Sequence, residues 1–436
     1  MSTSWVNWGR NQRCRPMSVC SPSTVDELAA TVKSAAEAGR RVKPVGAGHS
    51  FTAIAATDGV QLRLDKLSGI VAAEPQSGLV TLFAGTCLRD VPGLLAPYGL
   101  AMENLGDIDA QTIAGAVSTG THGTGLRYGG IAAQIRALSL VLADGSLVDC
   151  SPTERPDLYG AARVGLGALG VLATVTLQCV PAFRLRAVER PVPYEEMLGT
   201  FEERYSAFDH VEFYWFPHTD WTLYKEDTRL PGTEPVSPPG AIRSYIDDEL
   251  LSNTAFEALC RLGHRVPSVI PHTAGIAARA LSAREYVDVS HAVLTSDRRV
   301  RFREMEYAVP REAICDVIRE VRAVIERRGF RISFPIEIRV AAADDIWLST
   351  ASGRETAYIA IHQYWRTPFG DYFAAAEEIF KAVGGRPHWG KLHTLDAADL
   401  AGRYPHFADF QQLRASLDPD GVFRNDYLDA VLGLPG

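Results

Sequence analysis

The sequence has no excess of basic residues and no apolar run long enough to cross a membrane. Of its 436 residues, 44 are Lys or Arg and 52 are Asp or Glu, so the formal net charge is −8. Proteins that bind nucleic acid or anionic membranes need a local basic patch, which this sequence lacks. The longest weakly polar run, residues 164–180, includes three glycines and is shorter than the roughly 20 residues of a transmembrane helix. Neither a nucleic-acid partner nor a transmembrane segment is therefore predicted.

Cysteine is sparse, and its pattern argues against two structural devices. The seven cysteines are scattered, and no two of them form a CxxC motif. An odd number at irregular spacing predicts neither a disulfide framework nor a zinc site. Residues 1–15 lack the apolar core of a signal peptide, so we expect a cytoplasmic protein. His388 and His393 do not predict a metal centre, because no acidic or histidine residue beside them shows ligand spacing.

Glycine, in contrast, is concentrated in two short segments that each carry a histidine. Residues 44–51 read PVGAGHSF, and glycine in such a turn permits positive φ and lets backbone N–H groups approach a ligand. Residues 115–125 read GAVSTGTHGTG, which lacks the Gly-Lys-Ser/Thr of a P-loop. Many neutral donors without a fixed cation suit a diphosphate held in a buried cleft. Taken singly, each segment could also be a plain loop.

A third glycine cluster, GLGALG at 165–170, matches the GxGxxG spacing of dinucleotide-binding proteins. In that motif the glycines follow a strand, open a helix and precede an acidic residue by about 20 positions. Here residues 171–177 read VLATVTL, which is typical of a strand. We therefore interpret the cluster as a turn that leads into a strand, and NAD is not predicted.

Hydrophobic periodicity predicts alternating helices and strands in the first 180 residues. Residues 23–38 are predicted to form a helix that ends at Gly39. Strands are predicted at 41–45, 60–64, 79–84, 135–142 and 146–150. Asp144-Gly145 predicts a hairpin turn between the last two.

After residue 181 the pattern changes, which predicts a domain boundary there. A Pro/Gly-rich stretch at 230–240 is either a linker or a long surface loop, and residues 311–328 are predicted to form a helix. We divide the chain into a first domain at 1–180, a second at 181–387 and a C-terminal segment at 388–436.

Two later segments show the period-two alternation of strands. In FPIEIRV at 334–340, Glu337 and Arg339 share one face opposite three apolar residues. The pair is either a weak surface ion pair or, in a cleft, an acceptor and a donor fork for hydroxyl and carbonyl oxygens. In residues 358–364, His362 and Tyr364 share a face. His362 is either held by a neighbouring carboxylate or available to take a proton near neutral pH.

Taken together, six segments resemble the vanillyl-alcohol oxidase type of FAD enzymes, and within it the aldonolactone oxidoreductases and alditol oxidases. They are VGAGHSFT at 45–52, TGTHGTG at 119–125, LGALGV at 166–171, MEYAVP at 305–310, FPIEIR at 334–339 and PHWGK at 387–391. The resemblance covers nearly the whole chain. It implies an α+β fold with a PCMH-type FAD-binding domain, a substrate cap domain built on an antiparallel sheet, and a C-terminal segment that returns to the flavin.

The resemblance also implies which residues contact the cofactor and substrate. FAD is expected to be bonded through the His49 imidazole to the 8α-methyl group of the flavin. The residues expected to bind FAD are Val45, Gly46, Ala47, Gly48, His49, Ser50, Gly115, Ser118, Thr119, Gly120, Thr121, His122, Gly123, Gly125, Gly170, Val171 and Lys391. The expected catalytic residues are Glu337, Arg339, His362 and Lys391, the last placed beside flavin N1, where negative charge accumulates on reduction.

The function implied is oxidation of a sugar-derived aldono-1,4-lactone, such as L-gulono-1,4-lactone, to an ascorbate-type product by hydride transfer to flavin N5. Dioxygen or another acceptor would reoxidise the flavin. One alternative is an alditol oxidase acting on a polyol. A second is a bicovalent oxidase of the berberine-bridge type, although its nearest cysteines, Cys87 and Cys150, lie outside the 115–125 segment. A third is a non-catalytic sugar-binding protein with the same fold.

Overall fold

The computed structural model describes residues 4–240, 253–280 and 283–434. In the first half, a parallel sheet of order β3-β5-β4 lies beside an antiparallel sheet of order β10-β9-β11-β7-β6. The strands are β1 (Trp5–Val6), β2 (Arg13–Cys14), β3 (Ser18–Cys20), β4 (Val42–Val45), β5 (Val60–Arg63), β6 (Ile70–Glu74), β7 (Leu79–Phe83), β8 (Leu100–Ala101), β9 (Ile135–Val141), β10 (Leu147–Cys150), β11 (Val171–Gln178) and β12 (Val180–Pro181). The helices are α1 (Val25–Glu37), α2 (Val91–Leu95), α3 (Ile113–Ser118) and α4 (Pro156–Ala162).

The local predictions for this half are confirmed. Helix α1 begins after Thr24, whose hydroxyl accepts a hydrogen bond from the backbone N–H of Glu27, and the helix buries Leu28 and Val32 completely. The five predicted strands correspond to β4, β5, β7, β9 and β10. Gly145 has φ +83°, which allows the tight turn between β9 and β10. Strand β11 begins at Val171, directly after the glycine turn, as interpreted from the sequence.

The second half is built on one antiparallel sheet of eight strands in the order β16-β13-β15-β14-β18-β19-β17-β20. These are β13 (Phe183–Pro193), β14 (His210–Trp215), β15 (Trp221–Pro231), β16 (Arg284–Val289), β17 (Phe302–Pro310), β18 (Ile336–Ala341), β19 (Thr356–Tyr364) and β20 (Arg386–Pro387). The helices are α5 (Tyr194–Gly199), α6 (Phe201–Ala207), α7 (Phe256–Arg265), α8 (Ile270–Ala280), α9 (Ser290–Leu294), α10 (Ile314–Arg328) and α11 (Gly370–Ala382). Within the described ranges, no helix is both long enough and apolar enough to span a membrane.

The large sheet has one apolar face and one charged face. Ile336, Ile338 and Val340 of β18 are fully buried in the same core as the apolar residues of α10. Glu337 and Arg339 alternate with them, so they lie on the opposite face. This change of sheet occurs next to the predicted boundary at residue 181. Residues 232–236 of the Pro/Gly-rich stretch are exposed, and Ser237 then bonds to Val287 of β16, which indicates a surface loop rather than a linker.

The C-terminal segment packs against the beginning of the chain. Its helices are α12 (Ala397–Ala401), α13 (Phe407–Leu417) and α14 (Asp426–Leu432). The backbone N–H of Val42 in β4 donates to the carbonyl of Val422 at 2.7 Å. The side-chain amide of Asn425 lies 3.0 Å from the carbonyl oxygens of Ala53, Ile54 and Ala56. The loop that follows β4 is thereby held between the two ends of the chain.

The segment 122–130 joins the first half to the charged sheet. The N–H of Gly125 donates to the carbonyl of Val340 at 3.0 Å, and the N–H of Ala342 donates to the carbonyl of Tyr128 at 3.0 Å. The Thr124 hydroxyl bonds the carbonyl of Val211. These backbone contacts fix the position of β18 relative to the glycine segments.

Because His210 of β14 is buried, we predict that the protein loses stability in acid. Its Nδ1 donates to the Thr124 carbonyl at 2.8 Å, and its Nε2 faces Arg229 Nε at 3.4 Å, so the buried ring is neutral. Burial, and then Arg229, lower its pKa to about 4. The unfolded chain takes the proton near pH 6.5 and the folded chain only near pH 4, so stability falls as pH decreases through this window. Urea unfolding should show His210 contributing about 2 kcal/mol to the loss between pH 7 and 5.

The matched variant for this prediction is His210→Asn, which cannot titrate. Between pH 6.5 and 4, the slope of its free energy of unfolding against pH should be smaller than that of the wild type. The difference should correspond to about one fewer proton taken up on unfolding. Equal pH dependence in both proteins would show that His210 is not responsible.

Candidate active site

A cavity in the first half is lined by the three glycine-rich segments together. Of the residues predicted to bind the cofactor, ten line it: Val45, Gly46, Ala47, Gly48, His49, Ser50, Gly115, Ser118, Thr119 and Gly170. Sequence segments more than a hundred residues apart thus meet around one space. Gly120, Thr121, His122, Gly123, Gly125, Val171 and Lys391 are not part of its lining.

The local backbone explains why glycine occurs there. A Cβ atom on Gly46 would lie 2.4 Å from Thr112 Oγ1, which caps helix α3 by accepting a bond from the N–H of Gly115. Gly48 has φ +71°, a left-handed conformation that glycine adopts without strain. The chain can therefore pass close to α3 and turn sharply before His49.

The lining fits a cofactor with a diphosphate. Among the described residues, no protein acceptor is bonded to the backbone N–H groups of Ala47, Gly48, His49 and Ser50. Lys43 and His49 are the ionisable residues of the lining. The ammonium of Lys43 already donates to the carbonyls of Gly167 at 3.3 Å and Phe423 at 3.0 Å. Unused N–H groups in a largely neutral pocket are the donors expected for a nucleotide diphosphate.

His49 lies where this cavity meets the C-terminal segment. Its ring stacks on Trp8 with centroids 5.3 Å apart, and the N–H of Phe51 donates to the carbonyl of Gly390 at 2.7 Å. Burial, followed by the nearby charges of Lys391 and Arg89, lowers the pKa of His49 to about 4. The imidazole is therefore neutral at physiological pH and retains a free nitrogen lone pair.

His122 lies among acidic residues of the sheet. Its Nδ1 donates to the Gly123 carbonyl at 2.9 Å, its Nε2 lies 2.8 Å from Glu306 Oε1, and its ring stacks on Tyr358 at 3.5 Å. Burial opposes ionisation of Glu306, but His122 and Lys391 hold the pKa of Glu306 well below its usual range. The neighbouring Gly123 is needed for close packing, since a Cβ there would lie 2.2 Å from the Leu105 carbonyl.

Glu337 and Arg339 form a buried ion pair rather than a solvent-exposed one. The Arg339 guanidinium bonds Glu337 through its NH2 group and Glu212 Oε2 through Nε, the latter at 2.7 Å. The side chains of Glu337 and Arg339 are only 13% and 11% exposed. Burial raises the pKa of Glu337 despite the opposing charge of Arg339. A buried pair with remaining donor and acceptor capacity suits binding of a polar ligand.

His362 and Lys391 meet at Glu304. The Lys391 ammonium bonds Glu304, and the other oxygen of that carboxylate lies 3.5 Å from His362 Nε2. His362 Nδ1 donates to the Pro335 carbonyl at 3.2 Å. Burial disfavours the charged form of Glu304, but Lys391 and then His362 outweigh it and lower its pKa to about 2. The carboxylate of Glu304 therefore joins Lys391 and His362 in one cluster beside β18.

Tyr364, which shares a sequence face with His362, is engaged elsewhere. Its hydroxyl donates to Glu257 Oε1 at 2.7 Å, and its ring packs in a small separate cluster with Cys260 and Phe334. It therefore does not contribute its hydroxyl to the Glu304 cluster.

Sequence reasoning missed the acidic partners of these residues. Glu304 and Glu306 lie on β17. The register with the neighbouring strand β19 places Glu304 directly opposite His362. Their signal was available, because Glu304, Glu306 and the intervening Met305 show the same alternation as residues 336–340. Glu212 and Lys43 carried no comparable local signal.

His122, Glu306 and His388 bring three possible metal-ligand atoms within 4.8 Å of one another. The N–H of Gly390 donates to His388 Nδ1 at 3.0 Å, and burial lowers the pKa of His388 to about 4, so the neutral ring carries its proton on Nε2. That nitrogen is then a hydrogen-bond donor rather than a ligand. We interpret the cluster as a buried group in which His122 bonds the Glu306 carboxylate and the backbone N–H of His388 bonds the Glu306 carbonyl.

The two cysteines considered for a second flavin bond do not line the cavity. Cys87 forms an isolated bridge with Thr112, its sulfur lying 3.5 Å from the Asp109 carbonyl, and Cys150 is buried at the end of β10. The cavity therefore offers His49 as its nucleophile, without a cysteine partner.

Several known proteins are similar to this chain in sequence. The D-arabinono-1,4-lactone oxidase family matches residues 175–431, and an FAD binding domain matches residues 16–151. An L-gulono-1,4-lactone dehydrogenase from Mycobacterium tuberculosis is 42% identical over 99% of this chain and 100% of its own length. An L-gulonolactone oxidase from Bos taurus is 33% identical, covering 98% and 97%, and an alditol oxidase from Streptomyces is 32% identical, covering 99% and 100%.

The fold also matches a solved structure. Cholesterol oxidase from B. sterolicum superposes with a TM-score of 0.82 at 20% identity, covering 99% of this chain and 97% of that one. At that identity the likeness establishes the fold alone. The sequence matches, which together span nearly the whole chain, show that this protein is an FAD-dependent oxidoreductase of the D-arabinono-1,4-lactone oxidase family.

Proposed function

We propose that this protein oxidises an uncharged sugar-derived aldono-1,4-lactone, with L-gulono-1,4-lactone as the first candidate. The observation that carries the proposal is the pairing of charges on the face that holds Glu337. Lys391 pairs with Glu304, Arg339 with Glu337 and Glu212, Lys225 with Glu212, and Arg298 with Asp107. Arg229, on the same face, donates instead to His210 and to the Glu103 carbonyl. Among the described residues, an anionic substrate would therefore find no unengaged cation on this face, whereas a neutral polyhydroxy ring can use the donors and acceptors that remain.

The side chains support a division of roles. Glu337 would accept from substrate hydroxyls, and the Arg339 fork would donate to substrate oxygens. His362 Nε2 would take the hydroxyl proton, because its Nδ1–H is held by the Pro335 carbonyl and Glu304 is placed to stabilise the resulting imidazolium. For an aldonolactone the oxidised carbon would be C2, and the ketolactone would enolise to an ascorbate-type enediol.

FAD, when bound, supplies the hydride acceptor at N5. The N–H groups of residues 47–50, which have no protein acceptor in the described part of the chain, would hold its diphosphate together with the Ser118 hydroxyl of the lining. Lys391 would place its charge beside N1 and the C2 carbonyl. The protein's contribution is to hold the donor carbon, the base and the cofactor in fixed relative positions.

A covalent bond from His49 to the flavin 8α carbon is part of the proposal. Its support is the neutral imidazole on the cavity wall, held by stacking on Trp8. A neutral ring has the lone pair that a nucleophile needs. We also propose a reducing, cytoplasmic setting, since all seven cysteines are free thiols.

Stopped-flow reduction of the purified yellow protein tests the function. L-Gulono-1,4-lactone should bleach the flavin absorbance, and the open-chain L-gulonate should do so about tenfold more slowly or worse, because burying its unpaired charge is costly. Xylitol and sorbitol, run in parallel, test the alditol oxidase alternative. Reoxidation by air or by a dye then identifies the class of acceptor.

The possible results of this experiment distinguish the candidate functions. Equal bleaching by lactone and aldonate would refute the charge-pairing argument. Bleaching by polyols alone would establish an alditol oxidase, and bleaching by none of the compounds would sink the proposed function.

A further inference from the structure

Five charged residues of alternating sign form a row across the large sheet. They lie on neighbouring strands in the order Arg284 on β16, Glu189 on β13, Lys225 on β15, Glu212 on β14 and Arg339 on β18. Strand register places them opposite one another, since Arg284 pairs with Glu189, Glu189 with Lys225, and Lys225 with Glu212. Residues paired in this way project from the same face of a sheet. We call this set the charge row.

The contacts within the row are short and mostly sequestered from water. Lys225 Nζ lies 2.7 Å from Glu212 Oε1, Glu212 Oε2 lies 2.7 Å from Arg339 Nε, and Arg284 Nε lies 2.8 Å from Glu189 Oε2. Glu212 and Glu189 are only 8% and 5% exposed. Hydrogen bonds between ionised groups at such distances are strong and directional. The row ends at Arg339, which lies beside Glu337 in the proposed substrate site.

Glu212 is the residue through which the row acts on Arg339. It occupies the Nε edge of the guanidinium, whereas Glu337 bonds the NH2 group. A guanidinium is planar and carries five N–H donors, so fixing two of its nitrogens sets the direction of the remaining donors. Without Glu212, Arg339 would be free to turn its Nε and NH2 edge onto Glu337 and close a two-point pair with it. The donors available to a substrate would then point elsewhere.

Two further groups hold Glu212 in place. The Tyr214 hydroxyl lies 3.0 Å from Glu212 Oε1 and 3.3 Å from Glu337 Oε1, so it lies between the two carboxylates. Lys225 pairs with that same oxygen, Oε1, at 2.7 Å, and Arg339 holds the other oxygen, Oε2. The carboxylate of Glu212 is thus bonded on both oxygens and has little freedom to leave Arg339.

We infer that Glu212 is a positioning residue for substrate binding, which orients the Arg339 guanidinium and is itself fixed by Lys225 and Tyr214. This inference rests on the proposed function, because it assigns the oriented donors to the sugar-derived substrate. Glu212 does not line the cofactor cavity, so we do not expect it to contact FAD. Its loss should therefore affect binding of the substrate and leave flavin content unchanged.

The test is Glu212→Gln, with Glu226→Gln as the matched control. Glu226 is the next carboxylate along β15 from Lys225, is also buried, and pairs with Arg190 on the opposite face of the sheet. Steady-state kinetics with L-gulono-1,4-lactone and a dye acceptor give KM and kcat. Thermal unfolding and the ratio of flavin to protein absorbance report folding and cofactor content.

Glu212→Gln is expected to raise KM by about 10-fold to 100-fold, the loss typical of a hydrogen bond between charged groups, with a smaller change in kcat. Glu226→Gln should leave KM within about twofold of the wild-type value, even if its thermal midpoint falls as much as that of Glu212→Gln. An unchanged KM in folded, yellow Glu212→Gln would overturn the inference. So would an equal rise of KM in both variants, because that would reflect general loosening of the sheet.

If Glu212→Gln does not accumulate as folded protein, Glu212→Asp takes its place, since it keeps the charge but shortens the reach to Arg339. It should raise KM severalfold, and an unchanged KM would again overturn the inference. The wild-type protein separates this result from the proposed function. If it oxidises neither lactones nor polyols, the proposed function fails; if it oxidises one of them and Glu212→Gln does so with the same KM, only the positioning role fails.

Discussion

Replacement of Arg339 by methionine is expected to lower kcat/KM for L-gulono-1,4-lactone by about a thousandfold. Breaking a buried ion pair by removing one partner costs about 3–5 kcal/mol, because the other charge stays buried and unpaired. Here two carboxylates, Glu337 and Glu212, would lose their shared cation. The substrate would also lose the donor fork that its oxygens require. Steady-state kinetics over a range of lactone concentrations measure the loss.

The comparison with Arg339→Lys shows which property of arginine is needed. Lysine keeps the positive charge but has no planar fork, so we expect an intermediate loss of about 10-fold to 100-fold. Arg319→Met is the matched control, because Arg319 lies exposed on α10 and pairs with Asp316 at the surface. Flavin content should be unchanged in all three variants. If kcat/KM of Arg339→Met stays within tenfold of the wild-type value, Arg339 does not bind the substrate.

Replacement of His49 by alanine is expected to abolish retention of flavin by the denatured chain. In the wild-type protein, acid precipitation should leave the yellow colour in the pellet, and the mass of the intact chain should exceed that of the polypeptide by one FAD. In His49→Ala all the flavin should stay in the supernatant, because the variant lacks the imidazole of the lining and the Lys43 amine is held by the Gly167 and Phe423 carbonyls. The unused N–H groups of residues 47–50 should still bind FAD reversibly.

His272→Ala is the control for this experiment, since His272 is an exposed histidine of α8. It should behave as wild type. Colourless precipitate from the wild-type protein, after growth with excess riboflavin, would refute the covalent bond without refuting FAD binding. Yellow precipitate from His49→Ala would show that attachment occurs at another residue.

Several elements of the fold and site could be predicted because they depend on neighbouring residues. Helix α1 follows from Thr24, a local cap, and from apolar residues at helical spacing. The shared face of Glu337 and Arg339 follows from the period of two that any strand has. The glycine loop before His49 follows from small residues that permit positive φ and close approach. Each of these properties involves residues only a few positions apart.

Other features of the site could not be predicted in this way. Glu212 lies 127 positions before Arg339 and meets it only because β14 and β18 are neighbours in the sheet. His122 belongs to a segment expected at the cofactor, yet the structure places its ring 2.8 Å from Glu306, which is 184 positions away. Register between distant strands decides such contacts, and a shift of one residue would place each side chain on the opposite face.

The sequence by itself indicated the glycine-lined cofactor pocket and the strand face that Glu337 and Arg339 share, because backbone conformation and alternation are local properties. Only the tertiary structure decided which carboxylate meets which cation. Those pairings depend on the order and register of eight strands, and hence on contacts that form only when distant segments of the chain come together.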